Sequence, residues 1–133
     1  MRGLSLGQKA VAKRVFTQAD ITAYNELTSD NGLLYGKSDS DSEKQLVPGP
    51  MLGGLVSYLL GTKLPGRGTN WLKQYYSFYA PAIIGDQITA EVEIIRLRPE
   101  KDLVNLRVNC STSNGETVCT GEALVLVTDL EHV

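Results

Sequence analysis

One stretch of the chain, residues 47–61, constrains the fold more than any other because it is apolar or small on every side. It opens with Pro48, Gly49 and Pro50, and a proline in the first turn of a helix loses no hydrogen bond. Leucines and valines then recur three and four residues apart, which predicts a helix over residues 50–63. A helix without a charged face must be surrounded by protein, so we expect it to be the buried axis of the fold.

The side of the predicted helix that carries Gly53, Ser57 and Gly61 has almost no side-chain volume. A glycine inside a helix costs about 1 kcal/mol relative to alanine, and Gly54 directly follows Gly53. We therefore expect either the backbone of a sheet or a ligand to approach this side closely, and the sequence leaves both alternatives open. A leucine at position 54 is accordingly expected to lower stability or ligand binding.

Length and composition are those of an ordinary soluble protein. The 133 residues suit one domain, residues 1–133, of which 42% are hydrophobic and 21% charged. The formal net charge of −2 predicts no binding of nucleic acid. The apolar run is shorter than the roughly 20 residues that cross a bilayer, so we expect no membrane association. The first residues do not resemble a signal peptide, which predicts a cytoplasmic protein.

The chain has two cysteines, Cys110 and Cys119, and a single histidine, His132. These are too few for a Cys/His metal site of the usual spacing, so we predict neither a metal nor another cofactor. Without an export signal, the cysteines are interpreted as reduced thiols packed in the core, with a redox function as the alternative.

The N-terminal part predicts a strand followed by a helix. Residues 9–16 alternate loosely between apolar and polar, and Thr17 and Asp20 then form the pattern of a helix capping box. The helix should end near Ser29. Residues 30–46 show no periodicity and are interpreted as a polar loop.

The second half of the chain has the patterns of β-strands. Residues 69–79 form an aromatic run, residues 88–94 alternate between apolar and polar, and residues 103–112 and 116–127 flank an Asn-Gly pair. Asn-Gly is the strongest short signal for a hairpin. We therefore predict four antiparallel strands, the last two joined by a two-residue turn.

This two-residue turn fixes which residues of the hairpin face each other. On the apolar face it pairs Cys110 with Cys119, Val108 with Gly121, Leu106 with Ala123 and Val104 with Val125. On the other face Arg107 lies opposite Glu122, a pair of opposite charges worth about 0.2–1 kcal/mol.

Together these elements predict an α+β domain in which a five-stranded antiparallel sheet wraps around a long buried helix, the hot-dog fold. Residues 47–55, 59–66, 74–78 and 81–92 also resemble the MaoC-like (R)-specific enoyl-CoA hydratases. The resemblance implies the same fold and a homodimer whose sheets join edge to edge. It also implies addition of water to trans-2-enoyl thioesters, the partners being acyl-CoA or an acyl-carrier thioester.

The resemblance also implies catalytic residues. In that family an Asp, and a His five residues after it, activate water, while a backbone N–H at the start of the buried helix holds the thioester oxygen. Asp30 and Gly49 match two of these roles, but Tyr35 stands where the family has its histidine. A helix N-terminus suits a developing oxyanion, and because Pro50 has no N–H, Met51 would supply the next donor.

Tyr35 is a poor replacement for a histidine base, because the pKa of a phenol is near 10. We expect Asp30 to act as the base while Tyr35 donates a proton or orients water. Pro48 also replaces the histidine usual before the helix glycine. The predicted substrate contacts are Gly49, Met51, Leu52, Gly53, Ser57 and, at the phosphates of coenzyme A, Lys63 and Arg67.

Two functions remain open on the sequence. One is a hydratase or dehydratase of acyl thioesters, and the alternative is a catalytically degenerate relative that binds acyl thioesters or is a structural subunit, in which Gly49 is only a helix cap. A thioesterase is disfavoured because residues 50–63 contain no Asp or Glu. We expect a homodimer in either case, because the aromatic strand at residues 69–79 carries more apolar area than one sheet face buries.

Overall fold

The structure, a computed structural model, describes residues 3–29 and 46–127. Its helices and strands follow in the order β1 (Lys9–Val15), α1 (Gln18–Thr28), α2 (Gly49–Thr62), β2 (Thr69–Phe78), β3 (Gln87–Arg98), β4 (Leu103–Thr112) and β5 (Thr117–Val127). One turn of 3-10 helix, Pro99–Lys101, connects β3 to β4. Every predicted helix and strand is confirmed, and the ends agree to within one or two residues except at β3, which is longer than predicted.

The five strands form one antiparallel sheet in the order β1-β3-β4-β5-β2. The first two strands of the chain, β1 and β2, are therefore the two edges of the sheet. Helix α2 lies against one face of the sheet and contacts β1, β2 and β3. This arrangement is the predicted α+β hot-dog fold.

The core lies between α2 and the sheet. Val56 and Leu59 of α2 are fully buried, as are alternate residues of the central strands, namely Ile88, Ala90, Val92, Val104, Leu106, Val108, Ala123 and Val125. The other side of α2 carries the exposed residues Gly54, Ser57 and Tyr58. Within the described residues α2 is thus buried on one side, and the expectation of a helix surrounded on every side is wrong there.

The hairpin of β4 and β5 has the predicted register but a different turn. The carbonyl of Thr112 accepts from the N–H of Gly115 at 3.0 Å, and the N–H of Thr112 donates to the carbonyl of Glu116 at 2.9 Å. Gly115 has a φ of 83°, so the loop contains three residues and ends in a glycine bulge. The three-residue loop shifts the pairing by one residue next to the turn. Val118 has no partner on β4, which shifts the pairing back, so every pair predicted between the strands occurs.

Arg107 lies opposite Glu122 as predicted, but its ion pair is with Glu93 of β3, with 3.3 Å between Nη1 and Oε1. Glu122 instead accepts a hydrogen bond from the side-chain amide of Asn105 at 3.0 Å. The prediction of an Arg107–Glu122 contact is wrong because the pattern of one hairpin does not show which strand flanks it on the other side.

Helix α1 begins with the predicted capping box. The N–H of Asp20 donates to Oγ1 of Thr17 at 3.2 Å, and the N–H of Thr17 donates to the Asp20 carboxylate at 2.9 Å. This backbone hydrogen bond, together with the nearby Arg14 guanidinium, holds the pKa of Asp20 below its usual range. Neither α1 nor α2 is long and apolar enough to cross a membrane.

Candidate active site

The start of α2 offers an unpaired backbone donor among the described residues. Pro48, at the N-cap position, makes no side-chain hydrogen bond to the helix, and Pro50 has no N–H. The N–H of Met51, predicted as a second donor, donates to the carbonyl of Pro48 at 3.0 Å and is therefore already engaged. The N–H of Gly49 has no acceptor among the described residues.

The electrostatics of this helix end favour a negative ligand atom. The unpaired N–H groups at a helix N-terminus carry about half a positive elementary charge. No acidic residue lies in the first turn of α2 to neutralise it. The Gly49 N–H is therefore suited to an oxygen on which negative charge develops.

Two grooves open beside Gly49. The first, called the β2 groove, has a volume of about 500 Å³ and lies between the small face of α2 and the aromatic side chains of β2. Its α2 wall consists of Gly49, Pro50, Gly53, Gly54 and Ser57. The second, called the Pro81 groove, measures about 480 Å³ and shares Gly49, Pro50 and Phe78 with the first. The walls of both are mainly apolar, which suits a hydrocarbon chain.

The close approach expected at the small face of α2 occurs at two glycines. A Cβ built on Gly49 would lie 3.0 Å from Cζ of Phe78, and one built on Gly53 would lie 3.5 Å from the hydroxyl of Tyr76. The approaching group is therefore a pair of aromatic side chains of β2. In the described part of the chain nothing lies within 4 Å of a Cβ built on Gly54, so the expectation of crowding at this position is wrong there.

Tyr76 places a polar atom against this face. Its hydroxyl is buried and has no hydrogen-bond partner among the described residues. Burial raises the pKa of Tyr76, and the nearby thiols Cys110 and Cys119 raise it further. The phenol therefore stays neutral at physiological pH and cannot serve as a base.

Cys110 and Cys119 lie directly opposite each other under α2, and both are free and buried. A hydrogen bond with Cys119, together with burial, raises the pKa of the Cys110 thiol. The prediction of two thiols packed in the core is confirmed.

A third groove, called the α1 groove, has a volume of about 690 Å³ and lies between β1, α1 and α2. Leu27 of α1 is 87% exposed and Tyr58 of α2 is half exposed, and both line it. Met51, predicted as a substrate contact, also lines this groove rather than the β2 groove. Gly54 lines the α1 groove and the β2 groove alike.

The structure brings only some of the predicted site residues together. Gly49, Gly53 and Ser57 share the wall of the β2 groove, while Leu52 is almost completely buried and borders the Pro81 groove. The predicted catalytic residues Asp30 and Tyr35 lie outside the described residues, so their roles stay predictions.

The predicted phosphate contacts lie at the opposite end of α2. At 1.5 Å per helical residue, Lys63 is roughly 20 Å along the axis from Gly49, and Arg67 follows it in the next turn. Nζ of Lys63 donates to the carbonyl of Val11 at 3.2 Å and lies 5.9 Å from the ring centre of Tyr58.

The sequence interpretation missed Tyr76 and Phe78 as walls of the site, because it assigned the aromatic strand to a subunit interface alone. The sequence signal was the combination of residues without side chains on α2 and large aromatic residues on β2. Gly49 and Gly53 have no side chain on the helix side, and two rings, 5.8 Å apart between centroids, fill that space from β2.

Comparison with known proteins identifies close relatives. The (R)-specific enoyl-CoA hydratase of Aeromonas caviae is 37% identical over 128 residues, which cover 93% of this chain and 96% of that protein. A 3-hydroxybutyryl-CoA dehydratase of Methylorubrum extorquens is 32% identical over 133 residues, covering 97% and 84%. The solved structure of the Aeromonas caviae (R)-hydratase matches with a TM-score of 0.90 at 36% identity, over 96% of this chain and 100% of that chain. No protein-family model matches the chain.

Proposed function

Because the chain belongs to the MaoC-like (R)-specific enoyl-CoA hydratase family, we propose that it adds water reversibly to trans-2-enoyl thioesters to give (R)-3-hydroxyacyl thioesters. The relatives named hydratase and dehydratase describe the two directions of this reaction. The observation that carries the proposal is the N–H of Gly49 at the start of α2, which has no acceptor in the described part of the chain and lies beside mainly apolar grooves.

Gly49 has the chemistry that the addition step requires. When the oxygen of water forms a bond to C3, the electrons of the C2–C3 double bond move toward the thioester, and negative charge develops on its oxygen. The Gly49 N–H and the positive end of α2 stabilise that charge. A single donor of this kind contributes about 10²–10³ to the rate in other enzymes.

The proton transfers are assigned to Asp30 and Tyr35, and the family resemblance supports this assignment. Asp30 takes the proton that water loses on attacking C3. Where Tyr35 only orients the water, Asp30 passes the proton that it has taken to C2. Where Tyr35 delivers the proton to C2, its phenolate then regains a proton from Asp30. Asp30 is thus the general base of the proposed mechanism.

The thioester is carried by coenzyme A or by an acyl carrier, and its acyl chain occupies the β2 groove in this proposal. The groove's apolar walls and its origin at Gly49 support this placement. Lys63 and Arg67 are proposed to contact the phosphates of coenzyme A beyond the far end of α2. Lys63 would then exchange its hydrogen bond to Val11 for one to a phosphate.

A homodimer formed through the β2 edges is part of the proposal. The β1 edge has the charged protection typical of a solvent-facing strand, with Lys9, Lys13 and Arg14 exposed. By contrast, Trp71 and Tyr75 on β2 are 39% and 57% exposed. The free, buried thiols described above agree with a reducing, cytoplasmic location.

The test is hydration of crotonyl-CoA by the wild type and by Asp30→Asn. The reaction is monitored through the loss of ultraviolet absorbance of the conjugated thioester. The proposal predicts activity in the wild type and its loss in the variant. Wild-type activity that survives Asp30→Asn would refute the assignment of the base. Binding of acyl-CoA without any hydration would support the alternative of a catalytically degenerate binding protein, which the tyrosine at position 35 favours.

A further inference from the structure

The β2 groove and the α1 groove share one residue of α2 in their walls. Gly54 lines both, whereas the other α2 residues of the β2 groove do not line the α1 groove. The two grooves have volumes of about 500 and 690 Å³. A ligand that enters at Gly49 and follows the helix therefore reaches a second space at Gly54, whose walls are mainly apolar but include Lys13, Arg14 and Asp20.

Gly54 has no packing role in the described part of the chain. It is exposed, and a Cβ built on it would meet no atom within 4 Å. Glycine is also unfavourable within a helix relative to alanine. Among the α2 residues around it, Gly53 touches Tyr76 and Gly49 is crowded by Phe78, so both have a packing reason that Gly54 lacks.

The position of Gly54 along the helix defines a chain length. Five residues separate it from Gly49, which corresponds to about 7.5 Å along the axis. An extended hydrocarbon chain advances about 1.3 Å per carbon, given a C–C bond of about 1.5 Å. An acyl chain whose thioester oxygen is held at Gly49 passes Gly54 when it is longer than about six carbons.

From this geometry we infer that Gly54 is a specificity-determining residue, whose missing side chain lets the acyl chains of medium- and long-chain enoyl thioesters pass from the β2 groove into the α1 groove. The inference rests on the proposed function, because it places the thioester at Gly49. A larger side chain at position 54 closes the passage and shortens the chain that the protein accepts.

The experiment measures kcat/KM on enoyl-CoA thioesters of 4, 8 and 12 carbons for the wild type and Gly54→Leu. Each methylene kept out of an apolar groove costs about fourfold in kcat/KM. Of the roughly six carbons of a 12-carbon chain that lie beyond Gly54, exclusion of only two or three therefore predicts about a 16- to 64-fold fall in the ratio of 12-carbon to 4-carbon activity. Gly54→Ala, which adds one methyl group, should lower the ratio less.

Gly61→Leu is the matched control. Gly61 lies two turns further along the same face of α2, is exposed, has nothing within 4 Å of a built Cβ and lines none of the three grooves. This variant should keep the wild-type ratio to within about twofold. The inference is overturned if a folded Gly54→Leu keeps the wild-type ratio, if Gly61→Leu changes it equally, or if the wild type accepts only the 4-carbon substrate.

Dissociation constants for butanoyl-CoA and dodecanoyl-CoA separate this inference from the proposed function. A wild type that hydrates no thioester contradicts the proposed function. The affinity ratio of the two acyl-CoA ligands in the wild type and Gly54→Leu then tests the passage by itself. The inference predicts that Gly54→Leu weakens dodecanoyl-CoA more than butanoyl-CoA, and equal weakening overturns it.

Discussion

Gly49 combines a free backbone donor with a lack of room for a side chain. Its N–H has no acceptor among the described residues, and a Cβ built on it would lie 3.0 Å from Cζ of Phe78. Gly49 is not the helix cap, because Pro48 occupies the N-cap position. An N-cap serine or aspartate would place an oxygen near the N–H groups of the first turn and compete with a ligand for them.

Alanine at position 49 tests the contact with Phe78. In an exposed helix Gly→Ala stabilises by up to about 1 kcal/mol, and Gly61→Ala should show this gain because a Cβ at that position meets nothing within 4 Å. Gly49→Ala should show no gain or a loss, since its Cβ would lie 3.0 Å from Cζ of Phe78. The measurement is urea unfolding of both variants. Equal gains would show that the ring moves aside freely.

Position 35 tests the acid–base assignment. Tyr35→His introduces a group with a pKa of about 6.5, close to neutral pH, in place of a phenol with a pKa near 10. Hydration of crotonyl-CoA should then rise, by as much as the 10²–10⁴-fold typical of a positioned acid or base. The increase should disappear when Asp30→Asn is added. A Tyr35→His variant that is no faster than the wild type would contradict a direct role for this position.

Tyr76 predicts an alkaline dependence of stability. Its pKa is raised in the folded state, so the folded protein keeps a proton that the unfolded chain releases above pH 10, and the contribution to stability is lost as pH rises from there. Tyr76→Phe removes this pH-dependent contribution to stability, together with the buried hydroxyl that has no partner among the described residues. Its free energy of unfolding relative to the wild type should therefore increase between pH 9 and 11. A constant difference would contradict the prediction.

At the scale of elements, helix α2 and the β4–β5 hairpin were predictable because local chemistry determines them. Proline and glycine mark the start of α2, and alternation with an Asn-Gly turn sets the register of the hairpin. The type of turn was not predictable. Thr112 and Gly115 close a three-residue loop, and Val118 then corrects the register, so two irregularities cancel.

The candidate site was less predictable than the elements because it depends on contacts between distant parts of the chain. Sequence spacing identified Gly49 and the small face of α2. It did not show that rings from β2 cover Gly49 and Gly53, or that Gly54 stays open between two grooves. These features depend on β2 pairing with β5 at the sheet edge, which no local pattern contains.

At the scale of the whole molecule, the two edges of the sheet differ in chemistry. Along β1, lysine and arginine side chains are exposed, and Nζ of Lys63 donates to the carbonyl of Val11. Strand β2 has exposed aromatic residues and closes the β2 groove on one side only. A second copy paired through β2 would bury these residues and cover the groove that begins at Gly49.

The dimer prediction is tested with one charge placed on each edge. Tyr75→Lys puts a lysine on β2, where it should prevent edge-to-edge pairing and shift the protein from dimer to monomer in light scattering at micromolar concentration. Val11→Lys puts the same charge on the opposite edge, β1, and should leave the dimer intact because that edge is not paired. Val11 is a suitable control because it is also exposed, at 39% against 57% for Tyr75. A monomeric wild type, or dissociation by Val11→Lys instead, would contradict pairing through β2. If the dimer covers the β2 groove as proposed, monomeric Tyr75→Lys should also bind dodecanoyl-CoA more weakly than the wild type, because one wall of the acyl site would be open to water.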